Sequence, residues 1–296
     1  LTSYFRWRQA PFAQEQMHAG LLRPDRVDAP AAAEVRAAAA DIAAIGPVTT
    51  AQAPAALLFD YSSDWVTDTQ PQGKGFSALR IAFDYYSALR RHGLDVDMIH
   101  PDAPLDGYRM IVIPCLPIVP DGLADRLAAQ NVPIVIGARS GSKTRDFAIP
   151  AELAPGPLQQ LIPLKVIRVE SLRDGHAEAG EGFALTRWLD HVETALPAEE
   201  RLADGRGVVF AHGAVRYVAT WPEPALLDRL VQRLAAEAGL DASPLPDGVR
   251  IRRAGDIGFA FNYGAQAAAV PIPAGAAMLC GGPTLPPAGV AVWRAG

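Results

Sequence analysis

Lysine is nearly absent from this chain: three residues in 296, Lys74, Lys143 and Lys165. The arginines are scattered and the formal net charge is -5. A nucleic-acid partner is not expected, because phosphate contacts need a concentrated basic surface. Cysteine is scarcer still. Cys115 and Cys280 are the only two, too few for a disulfide framework, and no Cys/His cluster has zinc spacing. A reducing, cytoplasmic setting is the expectation. No apolar run approaches the ~20 residues that span a bilayer, so no membrane partner is expected. The first residue is Leu1 rather than Met, and no signal-type segment follows it. The chain opens inside a β-like run, which leads us to expect a truncated sequence.

What is present is the composition of a soluble globular protein, half hydrophobic and one-fifth charged. The length suffices for two ordinary domains. Three blocks emerge. In the first, residues 1–46, the alternation of Leu1 to Trp7 predicts a strand. A Gln-rich loop follows through Leu22. Asp28 has the character of an N-cap, with Pro30 in the first turn. Ala31 to Ile45 is a strong helix former, stopped by Gly46 and Pro47. One strand, one loop and one helix have no core of their own and must pack on something else, as the last β/α unit of a TIM barrel does.

The second block, 47–243, alternates short apolar strands with helices. Strands are expected at 55–61, 95–100, 109–114, 132–138 and 166–172. A hairpin is expected over 207–220, turning at His212-Gly213. Helices are expected at 74–91, 120–130 and 222–238. That order implies an α/β domain with a mostly parallel sheet covered on both faces. The third block, 244–296, reads as short strands separated by Gly and Pro: 249–253, 257–263, 267–272, 276–280 and 289–294. A small antiparallel β-sandwich is the natural solution.

Four segments carry a resemblance. The run Tyr4-Phe-Arg-Trp-Arg-Gln-Ala-Pro-Phe-Ala-Gln-Glu-Gln-Met-His-Ala-Gly20 resembles the end of the catalytic barrel of β-galactosidases of glycoside hydrolase family 42. Leu58-Phe-Asp-Tyr61 with Trp65 and Gln70-Pro-Gln72 is similar to the same family. So are Gly137-Ala-Arg-Ser-Gly-Ser-Lys-Thr144, and Gly258-Phe-Ala-Phe-Asn262 with Pro287-Ala-Gly-Val290. Together they span the chain in order, which is far more specific than one motif. The resemblance implies a (β/α)8 catalytic barrel, then an amidotransferase-like (flavodoxin-like) α/β domain that builds a homotrimer, then a small β domain. It implies a galactoside substrate, double-displacement hydrolysis and no cofactor.

In retaining hydrolysis two carboxyl groups stand ~5–5.5 Å apart across the glycosidic bond. In this family both are glutamates on earlier barrel strands, so neither is assigned here, and the chain alone is expected to be inactive. No metal ligand is assigned. The resemblance does carry Glu15 and His18 onto loop positions that hydrogen-bond galactose hydroxyls. A carboxylate accepts two hydroxyl hydrogens, while an imidazole donates or accepts one. Such a pair distinguishes an axial from an equatorial hydroxyl, because the wrong epimer leaves buried polar groups unpaired. Phe5 and Trp7 share a strand face by alternation, and an aromatic there stacks on the apolar face of a sugar. Arg6 and Arg8 read as ion-pair partners. Without the resemblance, Glu15 and His18 are an ordinary surface pair on a helical turn, and Trp7 is plain barrel core.

Rival readings are weighed against these. A non-catalytic assembly module is one. The other is an amidotransferase-like hydrolase using Cys115 with His176-Ala-Glu178. However, Cys115 sits in Pro114-Cys-Leu-Pro117, which lacks the glycines of a nucleophile elbow. The stretch 174–182 reads as a solvated loop, and Cys280 as an inert buried thiol. The loop Gly137 to Thr144 offers Arg139, Ser140, Ser142 and Lys143 to an anion, without P-loop spacing. Asp60 is expected to cap a helix or meet another subunit. Phe83, Tyr85 and Tyr86 are expected to be core plus interface.

Overall fold

The computed structural model describes residues 3–296. Leu1 and Thr2, the start of the expected first strand, lie outside the described residues. From Tyr4 to Trp7 no strand forms; Arg8 makes one isolated bridge to Leu22, and Leu22 another to Asp28. The physical reason is the lack of a full neighbour, since a strand is held by pairing along its length, and among the described residues its backbone hydrogen bonds run to Leu21 and Leu22 alone. Gly20 permits that approach, because a Cβ there would stand 2.6 Å from the Gln9 amide nitrogen. The helix α1 (Ala31–Ile45) forms where expected, but Asp28 is not its cap. Pro30 holds the N-cap position, and the Asp28 carboxylate accepts instead from Arg36 Nη2 at 2.7 Å. Asp28 stands too far upstream to reach the free amides of the first turn. Of α1 only Ala32 is buried.

The second block opens with β1 (Ala55–Leu58) and α2 (Tyr61–Thr69). The expected strand 55–61 is cut short because Asp60 caps α2, accepting from the Ser62 and Ser63 amides at 3.0 and 3.3 Å. The longer α3 (Ala78–Arg91) begins at Ser77, whose hydroxyl accepts from the Arg80 amide. Then come β2 (Val96–Ile99), β3 (Met110–Ile113), α4 (Leu123–Ala128) and β4 (Ile134–Gly137). Next are β5 (Lys165–Ser171), β6 (Glu178–Gly180), β7 (Phe183–Leu185), β8 (Trp188–Glu193) and β9 (Ala198–Arg201). The domain closes with β10 (Gly207–His212), β11 (Val215–Val218) and α5 (Pro224–Glu237).

Seven strands make the main sheet in the order β2-β1-β3-β4-β11-β10-β9. The first five run parallel, and β10 and β9 are antiparallel additions. Every residue of β1, β3 and β4 is buried, as both faces of a parallel sheet demand. Ala55 and Leu57 face a core built with α3 and α5, while Ala56 and Leu58 face the one built with α4. The hairpin β10–β11 turns at Gly213-Ala214, one residue later than expected, because His212 still pairs with Val215. β5 does not join the main sheet but pairs with β8. The supposed solvated loop at 174–182 contains β6, which pairs with β7 and packs Phe183 into the core.

The last block holds β12 (Val249–Ala254), β13 (Ile257–Asn262), β14 (Ala268–Ala269), β15 (Ala277–Cys280), β16 (Thr284–Leu285) and β17 (Val290–Arg294). An antiparallel sheet of order β12-β13-β17-β15 faces the two-stranded ribbon β14-β16, and Val249, Ile251, Val270, Leu285 and Trp293 share one core between them. β14 is far shorter than the expected 267–272, because Pro271 and Pro273 lack the amide a ladder needs. A buried ion pair ties this unit to the α/β domain. Arg90 Nη1 meets Asp95 Oδ1 at 2.8 Å, Arg90 Nη2 donates to the Ile251 carbonyl, and Asp95 Oδ2 accepts from the Arg253 amide.

Candidate functional site

The loop that leaves Gln9 and returns at Gly20 carries the expected sugar ligands. Its tip is the 3-10 turn Gln14–Met17. Gln9 Nε2 braces the turn by donating to the Gln16 carbonyl at 2.7 Å. The base is closed by three backbone bonds: Leu21 to Arg6, Leu22 to Trp7 and Gln9 to Leu22. Glu15 stands on the exposed side of the turn. Its Oε2 accepts from Arg6 Nη2, which leaves Oε1 free of that contact. The Arg6 guanidinium also lies 4.6 Å from the centroid of the Phe5 ring, a cation–π distance. His18 meets the same ring edge to face, with centroids 5.7 Å apart. Phe5, Arg6, Glu15 and His18 are therefore one cluster. The Trp7 ring joins none of these contacts; like Phe5 it is 69% exposed. Arg6 pairs as expected, whereas Arg8 enters no ion pair among the described residues.

Phe5, Glu15 and His18, residues singled out from the sequence, are in contact through Arg6, which was expected only to pair. The signal available was its single charge between two aromatics, nine residues before Glu15. An arginine on the carboxylate fixes which oxygen is presented.

Cys115 is 3% exposed, and burial pushes its thiol up to about 12, with the Arg139 cation pulling the other way. The charged groups acting on it are Arg139, Asp190 and Asp64, with no imidazole among them. His176 pairs with Glu178 at 3.1 Å in the β6 region instead. The thiolate that nucleophilic catalysis requires is disfavoured here. Cys280 is half-buried rather than buried, beside Asp41. A thiol reagent at pH 8 should accordingly label Cys280 alone in the native chain, and both cysteines in urea; rapid native labelling of Cys115 would contradict the geometry.

The loop after β4 is not an open anion cradle. The Gly141 and Lys143 amides donate to the Leu116 and Pro117 carbonyls, Thr144 donates to Ala148, and the Ser140 hydroxyl accepts from the Leu116 amide. Gly141 has φ +63°, and a Cβ there would stand 1.8 Å from the Pro155 carbonyl oxygen. The loop packs on its neighbours and spends its amides doing so. Tyr85 is buried in the core while Phe83 is 54% exposed on the same helix.

No helix among the described residues is long and apolar enough to cross a membrane. Comparison with known proteins accounts for all three blocks. Residues 1–45 match the family description "Beta-galactosidase", residues 53–241 "Beta-galactosidase trimerisation domain", and residues 248–295 "Beta-galactosidase C-terminal domain". A β-galactosidase of Thermus thermophilus is 48% identical over 99% of this chain and 46% of its own length. The crystal structure of a β-galactosidase from the psychrophilic Marinomonas ef1 superposes with a TM-score of 0.94 at 36% identity, covering 99% of this chain and 47% of that one. A polyextremophilic β-galactosidase of the Antarctic haloarchaeon Halorubrum lacusprofundi gives 0.90 at 30%, covering 98% and 47%. The chain thus spans about half the length of the relatives it matches. With the order and extent of the three matches, this chain belongs to the β-galactosidases of glycoside hydrolase family 42 and carries its trimerisation and C-terminal domains.

Proposed function

We propose that these residues serve a retaining β-galactosidase that hydrolyses terminal non-reducing β-D-galactosyl residues. The chain supplies part of the galactose site and the homotrimer interface. The general acid and the nucleophile are glutamates of barrel strands outside this sequence, and the working protein is a cytoplasmic homotrimer. The observation that carries the reading is the clustering of Phe5, Arg6, Glu15 and His18 on one short loop. Arg6 holds one oxygen of Glu15 and leaves the other to accept a sugar hydroxyl. His18, edge-on to Phe5, adds a second polar group, and the exposed rings of Phe5 and Trp7 offer apolar faces to the C–H side of a pyranose.

Assembly and chemistry are separable in this reading. Light scattering on the purified chain is expected to return three times its 31.4 kDa mass. A nitrophenyl galactoside should show no turnover above background, since neither carboxyl of the reacting pair is present. A monomeric mass would sink the assembly claim, and robust turnover would sink the division of labour.

A further inference from the structure

A second concavity shares no lining residue with the loop that carries Glu15 and His18. It is walled by Asp60, Trp65, His100, Asp102, Arg145 and Phe147 and encloses about 440 Å³, within the range of small-molecule sites. Its place in the fold is telling. Asp60 follows β1, His100 and Asp102 follow β2, and Arg145 and Phe147 come from the loop after β4. All lie past the carboxyl ends of parallel strands. The order β2-β1-β3-β4 makes the chain wind one way from β1 to β2 and the other way from β1 to β3 and β4. That reversal opens a crevice in which open α/β sheets bind their ligands.

The lining is organised rather than incidental. The Asp102 amide donates to His100 Nδ1 at 3.2 Å, and the ring lies between two carboxylates, with Nε2 3.6 Å from Asp60 Oδ1 and Nδ1 3.6 Å from Asp102 Oδ2. Asp60 is itself fixed by capping α2. Across the crevice, Arg145 enters no ion pair among the described residues. Phe147 is held at φ +61° by the Thr144 turn, where its amide bonds to the Thr144 carbonyl. Trp65 is 61% exposed. The remaining tryptophans of the α/β domain and the C-terminal unit, Trp188, Trp221 and Trp293, are all buried.

Two aromatic surfaces flanked by carboxylates, an imidazole and a guanidinium match one ligand chemistry well. A neutral polyhydroxylated ring presents C–H faces to aromatics and hydroxyls to donors and acceptors of both kinds. A phosphate would meet two carboxylates for one free arginine, an unfavourable balance. We infer that this crevice is a second saccharide-binding site, built from residues other than those of the Glu15 loop. A hexopyranose or disaccharide stacks on Trp65 and Phe147 and hydrogen-bonds Asp102, His100 and Arg145.

Fluorescence provides the test, because Trp7 and Trp65 are the two exposed tryptophans. The 296-residue chain is titrated with galactose and with lactose up to about 10 mM, alongside Trp7→Phe, Trp65→Ala and Arg145→Ala variants. The expected result is a saturable change that survives Trp7→Phe, vanishes in Trp65→Ala and weakens at least threefold in Arg145→Ala. Circular dichroism shows whether each variant is folded, and the Trp65 indole N–H resonance reports the site directly in the unaltered chain. Absence of any shift of that resonance overturns the inference. So does a response seen only through Trp7, which would leave the Glu15 reading intact. Inorganic phosphate or adenosine moving the Trp65 resonance in place of sugar overturns it as well.

Discussion

Replacing Arg90 by alanine is expected to lower the stability of this chain by about 3–5 kcal/mol, the cost of leaving one partner of a buried ion pair alone. Arg90 and Asp95 side chains are 9% and 7% exposed, so solvent does little to screen the orphaned carboxylate. The loss is compounded because Arg90 also donates to the carbonyls of Leu94 and Ile251. Asp95 in turn accepts from the Arg253 amide at 2.9 Å. One arginine thus spans the end of α3 and the first strand of the C-terminal unit. Urea unfolding followed through the buried Trp293 should show the C-terminal sheet loosening first. Arg90→Met combined with Asp95→Leu is expected to recover part of the loss, since an apolar pair leaves no stranded charge. A penalty under about 1 kcal/mol for Arg90→Ala would show that the pair is not what joins the two units.

The second large effect belongs to the loop between Gln9 and Gly20. A chimera joining the part of the Thermus thermophilus β-galactosidase that this chain does not cover to this chain is expected to hydrolyse nitrophenyl galactoside. In that chimera Glu15→Ala should lower kcat/KM about 10²-fold, the scale of one charged hydrogen bond to substrate together with an Arg6 left unpaired. His18→Ala should cost less, about tenfold, the scale of one lost hydrogen bond. If these groups read the epimeric hydroxyl as proposed, discrimination against the glucoside should narrow in both variants. The light-scattering mass should not change, as neither residue lies in the α/β domain. Activity within threefold of the parent chimera for Glu15→Ala would remove Glu15 from the site.

Much of the α/β domain was legible in the sequence because its central strands are buried on both faces. Runs such as Met110 to Ile113 and Ile134 to Gly137 have no polar side to confuse the reading. Asp60 was legible as a cap because its type and its place past a strand coincide. The misreadings share a cause of their own. Leu1 to Trp7 alternates like a strand, but pairing depends on neighbours that periodicity does not reveal. Residues 174–185 look polar and Gly-rich, yet fold as a hairpin because Phe183 and Leu185 reach a distant core. Of the candidate site, Glu15 and His18 were found by resemblance, and their residue types alone would not have singled them out. The partnership of Arg6 with Glu15 depends on a loop folding back between Gln9 and Gly20, a path that no local pattern encodes.

The position of β11 in the main sheet bears on how the protein is made. β4 is flanked by β3 on one side and on the other by β11, with Ile134 pairing Val215. Roughly eighty residues must therefore leave the ribosome after β4 before its open edge is filled, several seconds at ordinary rates of translation. During that interval an entirely apolar strand presents unpaired amides and carbonyls to solvent. Nascent chains stalled in that window should be the ones that chaperones hold, and a codon change that slows elongation there should reduce soluble yield without altering a single amino acid.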